Sequence, residues 1–246
     1  MYRMTTKNIV IVFALLVLAA CIVGIVKESN QTVSIPVVPS TVTTMPTEYC
    51  YYQSTKTASG LYDKAYLRLD IDTGTVTGEF NNYPAEKDSK TGTFNGTTQT
   101  IDGGTQIANV IWNTLGEGIQ AKEELAVVFD DKQAAAAFGE MVQGANGVYV
   151  YKDKASAVYQ DPIPAIDCAQ YDELRTVEKY IKTNIKTIIS DKAELGGTWY
   201  TTALVVDTGT HTAAVSYEDG HNTGKGTITY TYEASKVTGV SFVKAK

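Results

Sequence analysis

The 246-residue chain is short of the residue types that most catalytic and metal chemistry depends on: it has two histidines, three cysteines and two tryptophans. It contains no phosphate-binding glycine loop, no dinucleotide fingerprint and no nucleophile elbow, so the nucleotide- and serine-dependent chemistries those motifs announce are not expected. His211 and His221 fall at turns with no cysteine or elbow serine near them, and are expected to be solvated rather than a metal pair or a general base. Basic residues are scarce too. Arg3, Lys7 and Lys27 account for three of the 21, and residues 1–27 hold no acid. The remainder carries 18 basic against 27 acidic residues, a balance of −9. A surface of that sign does not neutralise phosphates, which excludes a nucleic-acid partner. It also excludes charge-driven binding to an anionic lipid surface.

What is present first is a greasy start. Ile9 to Val26 is an uncharged run of 18 residues. At about 1.5 Å per residue it nearly spans a hydrocarbon core of about 30 Å. Arg3 and Lys7 precede it, which places the N-terminus inside the cell and everything after residue 27 outside. Leu18-Ala19-Ala20-Cys21 resembles the lipobox of bacterial lipoproteins, with Cys21 as the lipidated residue. The apolar Ile-Val-Gly-Ile-Val that follows departs from that pattern. An uncleaved helix, a lipoprotein and a cleaved secreted form therefore stay open, and each exports the rest. Residues 28–47 are rich in Ser, Thr and Pro without periodicity and read as a stalk.

With Cys21 in the anchor, Cys50 and Cys168 remain as a disulfide pair in an oxidising compartment; two buried free thiols are the alternative. The pair brackets a first unit, 48–169. Within it Ala65–Ile71 alternates strictly, Asp72-Thr73-Gly74 makes a turn and Thr75–Phe80 alternates again, a hairpin over 64–82. Thr91–Thr98, Leu125–Phe129 and Val148–Tyr151 add strands. Ile107, Val110, Ile111 and Leu115 recur at three- and four-residue steps, and the spacing predicts a helix over 105–116. Lys132–Val142 leans to strand despite four successive alanines. In a second unit, 170–246, Leu174, Val177, Ile181, Ile185 and Ile188 predict a helix over about 171–190, with Glu178 and Lys182 among the charges of its other face. Strands follow at Trp199–Val206, Thr212–Tyr217, Gly226–Tyr232 and Val237–Lys244. The expected fold is thus a β-rich α+β chain: a small antiparallel barrel or half-barrel with a rim helix, then one long helix packed on a four-strand antiparallel meander.

The second unit resembles cystatin-like α+β domains in element order. The stretches SGLYDKAYLRLDID, EFNNYPAEKDSKTGTF, FGEMVQGANGVYVYKD and SYEDGH resemble ones in uncharacterised, singly anchored bacterial exported proteins. That resemblance covers most of residues 50–246 and implies a shared two-part exported architecture. It implies no activity.

Asp-Thr-Gly-Thr occurs twice, at Asp72–Thr75 and Asp207–Thr210. Aspartic proteases use two such tripeptides to share one proton between carboxylates. Here each copy sits between alternating strands, so both read as hairpin turns. Sixteen tyrosines against six phenylalanines either pack half-buried sheets or form a wet-tipped aromatic surface. Tyr51, Tyr52, Tyr83, Tyr149 and Tyr151 are its candidates, as a platform for sugar or peptide. No catalytic residue, metal ion or cofactor is expected. The partners expected are a membrane, through residues 9–26, and an extracellular or envelope ligand. A non-enzymatic binding or envelope-interaction module is the leading expectation, ahead of an envelope assembly factor and a hydrolase.

Overall fold

Alternating burial organises most of the chain, because a strand sends successive side chains to opposite faces. The computed structural model describes residues 48–245, which lie in one compact unit. Strands β1 (Glu48–Lys56), β2 (Tyr62–Asp72), β3 (Thr75–Tyr83), β4 (Lys90–Asp102), β5 (Thr105–Gly116), β6 (Ile119–Phe129) and β7 (Gln133–Phe138) run as successive antiparallel neighbours. Three short strands follow: β8 (Met141–Gln143), β9 (Val148–Tyr151) and β10 (Val158–Tyr159). Then β11 (Ile163–Ile166) slots between β7 and β1 and closes an eight-stranded antiparallel barrel. Its seam with β7 pairs Ile163 with Ala134 and Pro164 with Gln133.

Eight strands leave an interior just wide enough for side chains. Trp112, Tyr51, Phe80, Phe129, Leu67, Leu69 and Leu125 fill it, each under 2% exposed or close to it. The polar tips of the larger rings find backbone partners. Trp112 Nε1 donates to the Gly92 carbonyl at 3.1 Å, and the Tyr51 hydroxyl to the Asp130 carbonyl at 2.7 Å. Gly78 lacks a side chain for a steric reason: a Cβ there would lie 1.9 Å from the Arg68 carbonyl oxygen and 2.7 Å from the Phe94 ring.

Helix α1 (Cys168–Ile188) follows, capped by Asp167, whose carboxylate accepts from the Ala169 amide at 2.8 Å. Strands β12 (Tyr200–Asp207), β13 (Thr212–Glu218), β14 (Thr223–Glu233) and β15 (Lys236–Lys244) form a separate four-stranded antiparallel meander in sequence order. A second core joins them. Tyr171, Leu174, Val177, Ile181 and Ile185 of α1 pack with Leu204, Val206, Val215, Tyr217 and Ile228 of the meander. Cys50 and Tyr66, from the outer wall of the barrel, belong to the same cluster. Cys50 and Cys168 are disulfide-bonded, with Cα atoms 5.2 Å apart across a sequence separation of 118.

The helix expected at 105–116 is instead β5. Its burial alternates with a period of two: Gln106, Ala108, Val110, Trp112 and Thr114 are buried, while Asn109, Asn113 and Leu115 are exposed. The barrel therefore has no rim helix. The strand preferred over 132–142 is found as β7 and β8. Glu178, expected on the charged face of the helix, is buried at 3% exposure. The apolar run 9–26, Cys21 and the stalk 28–47 lie outside the described residues. No helix among the described residues is long and apolar enough to cross a membrane.

Candidate functional site

Two polar hollows meet at Lys64 and Pro84. The first is a cup at one end of the barrel. Tyr51, Leu67 and Phe80 point into the barrel; two residues further along each strand, on the same face, come Gln53, Ala65 and Asn82. Thr55 and Asp63 continue that face. These residues line an opening of about 590 Å³, together with Tyr159 of β10 and Asp161 from the segment that joins β10 to β11. Asp63 accepts from the Ala85 amide at 2.7 Å, which ties down the turn carrying Glu86 and Lys87, also lining residues. Charge in the cup is nearly balanced: Asp63, Glu86 and Asp161 face Lys64 and Lys87.

The second hollow lies on the outer wall. Register sets Tyr52, Tyr66 and Asn81 side by side across β1, β2 and β3, and Ser54, Lys64 and Tyr83 form the next row. Helix α1 is laid over them. The Lys64 ammonium donates to the Glu178 carboxylate and to the Leu204 carbonyl of β12. Burial pulls this ammonium below the ordinary lysine range, although Glu178 pulls the other way. The Arg175 guanidinium lies 4.8 Å from the centre of the Tyr66 ring, and the Lys182 ammonium 5.8 Å from that of Tyr83. Tyr171 donates to Glu79 at 2.7 Å.

This junction concentrates polar atoms that are shielded from water and lack a hydrogen bond of ordinary length, although Tyr52 interacts with Ser54 and Tyr66, and the Tyr66 hydroxyl with Glu178. They are the hydroxyls of Tyr52, Ser54, Tyr66 and Thr201 and the amide nitrogen of Asn81. Burial pushes the Tyr52 hydroxyl up to about 12 and raises that of Tyr66 further, so both keep their protons at neutral pH. A cleft of about 280 Å³ opens here, lined by Lys64, Tyr66, Tyr83, Glu178, Lys182 and Thr201 among others.

Of the five tyrosines singled out from the sequence, Tyr51 and Tyr151 are buried and offer no surface. Tyr52 and Tyr83 are half-buried beside Tyr66 at the junction, with ring centroids 4.9 and 5.8 Å from it. Tyr149 is exposed on β9. Asp72 and Asp207 are both exposed and each serves its own turn. Asp72 accepts from the Thr73 hydroxyl, and Asp207 from the amides of Gly209 and Thr210. Hydrogen bonds from Thr210 hold Asp207 below the usual carboxylate range, so its own turn accounts for its charge. His211 stacks on Tyr230 at 5.4 Å with its Nε2 3.8 Å from Glu173, and His221 is exposed in the turn after β13. Among the described residues no cluster of three or more His, Cys, Asp or Glu side chains is placed to hold a metal ion.

Comparisons with protein-family models, curated proteins and solved structures found no match. Sequence reasoning missed Lys64, Tyr66, Glu178, Gln53, Asp63 and Asn82. Lys64 and Tyr66 belong to the polar side of an alternating strand, which reads as solvated until a helix 114 residues away is laid upon it.

Proposed function

We propose that the protein is a membrane-tethered, extracytoplasmic, non-enzymatic binding module that takes a neutral saccharide-like ligand in the cup at the barrel rim. One observation carries this reading. The barrel is filled by side chains through its middle, yet at one end it opens into a basin of about 590 Å³ whose lining mixes polar and apolar surface. The mouths of small barrels are common ligand sites.

The chemistry of the basin favours hydroxyl-rich rings. Gln53 and Asn82 offer both donors and acceptors, and Asp63 and Asp161 offer acceptors. Tyr159, 43% exposed, supplies an aromatic face at the edge. The near balance of charge disfavours a strongly ionic ligand. The Cys50–Cys168 bond supports an oxidising compartment, and the apolar run 9–26 supports a membrane tether.

A glycan array probed with the full-length chain tests the proposal. Specific saccharide binding is expected, weakened about tenfold by Asn82→Ala and by Tyr159→Ala, since each removes one hydrogen bond or one stacking face. Absence of any saccharide binder, or binding indifferent to both substitutions, refutes it.

A further inference from the structure

The wall of the barrel does not close over its whole height. β1 and β11 are in register at Cys50 with Ile166 and at Tyr51 with Ala165, and the seam stops there. From Tyr52 to Lys56, β1 keeps β2 on one side and has no β11 residue paired on the other. The sequence explains the parting. The Ala165 amide donates to the Lys132 carbonyl at 2.8 Å, on the β7 side. Strand alternation then turns positions 164 and 162 toward β1. Both are proline, which has no N–H, so the two positions that would carry the seam on toward Lys56 have nothing to donate. The preceding residues go with β7 instead. The Gln160 amide donates to the Ala136 carbonyl at 3.0 Å, and Val158 and Tyr159 pair with Phe138 and Ala137. The cup is therefore lined from two separate banks: Gln53, Thr55 and Thr57 on β1, and Tyr159, Gln160 and Asp161 across from them. Apart from Asp161 these banks are uncharged. The Gln53 amide donates to the Thr55 hydroxyl at 3.1 Å, which leaves the Gln53 carbonyl to accept and the Thr55 hydroxyl to donate.

We propose that this parting is a second mouth of the cup, and that the cup holds an internal stretch of a linear sugar polymer rather than a chain end or a single ring. The inference rests on the saccharide reading of the cup and specifies its ligand. A hollow with one mouth reads an end, because the rest of the chain can leave one way only. A chain that continues in both directions needs two openings. Here the rim supplies one and the space between the banks supplies the other. One ring lies in the cup against Asn82 and Asp63, and its neighbour passes between Thr55 and Gln160 with the Tyr159 ring as a stacking face. The hollow, about 590 Å³, lies in the range that takes ligands larger than one ring.

The test adds ladders of cello-, chito- and malto-oligosaccharides to the array, from the single ring upward, each with its non-reducing end free or O-methylated. The full-length chain should bind at least one ladder, with an affinity that rises about tenfold or more beyond the single ring and is indifferent to the methyl cap. Thr55→Arg, which puts bulk between the banks, should cut that advantage of long chains about tenfold. Thr55 is exposed, so the melting temperature should hold. Pro162→Ala/Pro164→Ala, which restores the two missing donors, should cut the advantage in the same direction by letting the seam run on along β1. Affinity already complete with one ring, binding abolished by the methyl cap, or a length advantage untouched in both variants overturns the inference and leaves the saccharide reading standing. Binding to other saccharides on the array but to no ladder does the same. A chain that binds nothing on the array takes down both.

Discussion

Replacing Lys64 by Met gives the sharpest test of how the helix is fastened to the barrel. The Lys64 and Glu178 side chains are 11% and 5% exposed, and the ammonium also donates to the Leu204 carbonyl. It thus ties β2, α1 and the first meander strand at one point. Lys64→Met keeps most of the apolar stem but leaves the Glu178 carboxylate buried, with Lys182 at 3.8 Å and the neutral Tyr66 hydroxyl to answer it. Removing one member of a buried pair costs about 3–5 kcal/mol, because the other charge is left uncompensated. For a folded part of this size that corresponds to a fall of about 6–20 °C in melting temperature. Glu178→Leu alone should cost a similar amount. The double variant Lys64→Met/Glu178→Leu should recover most of the loss, since an apolar pair of matching volume is often as stable as the ionic one. Urea unfolding of all four proteins closes the cycle. The exposed pair Lys152–Glu140, at 57% and 68%, is the internal control, and Lys152→Met should cost no more than about 1 kcal/mol. A Lys64→Met cost within that surface range, or a double variant as unstable as the sum of the singles, refutes the assignment of a buried, mutually dependent pair.

Gly78→Ala should destabilise the barrel by about 1–3 kcal/mol or prevent folding, because the added methyl collides with backbone as well as with the Phe94 ring; denaturant titration reads this directly. Cys50→Ala/Cys168→Ala should lose about 4–5 kcal/mol on the chain-entropy account of a loop this long, and a loss under about 1 kcal/mol would contradict it. Asp219 accepts from the amides of Glu194, His221 and Asn222, which holds its carboxyl down to about 2 against an ordinary 3.8. Because the folded value is the lower one, the stabilisation is full above about 4 and is lost as pH falls toward 2. Asp219→Ala should therefore lower the melting temperature at neutral pH and flatten its decline across that acid window. An unchanged acid profile would show that other carboxylates govern it.

How far the sequence discloses this fold depends on which residues carry each period. Helix α1 was legible because its stripe, Leu174 to Ile185, is built from strong hydrophobes. The meander was legible because its turns carry Asp207, Gly209 and Gly220 at short intervals. Strand β5 was misread for the converse reason. Its inward positions include the polar Gln106 and Thr114 and the small Ala108, which carry little hydrophobic signal, while Ile107, Ile111 and Leu115 on the outer face imitate a helical stripe. Hydrophobicity alone could not weigh Thr114 as an inward residue; its burial depends on the barrel closing around it. The tyrosines show a similar limit. Tyr51 and Tyr52 are adjacent, and strand alternation sends one into the barrel and the other to the junction with α1. Composition is blind to that parity. The candidate hollows were least legible, since both are assembled from segments distant in the chain.

The last strand of the barrel to be made is also the one that shuts it. A chain growing from its N-terminus presents β1 to β7 as an open sheet, with β1 and β7 as raw edges, until Ile166 has been made. Cys168 arrives two residues later, opposite the strand that β11 has just joined. Covalent locking and ring closure thus fall due together, and an oxidising catalyst acting earlier has no correct partner to offer Cys50. The interval between the two events is when this protein is most exposed to strand swapping with its own copies, and slowing synthesis through residues 130–166 should lengthen that hazard rather than relieve it.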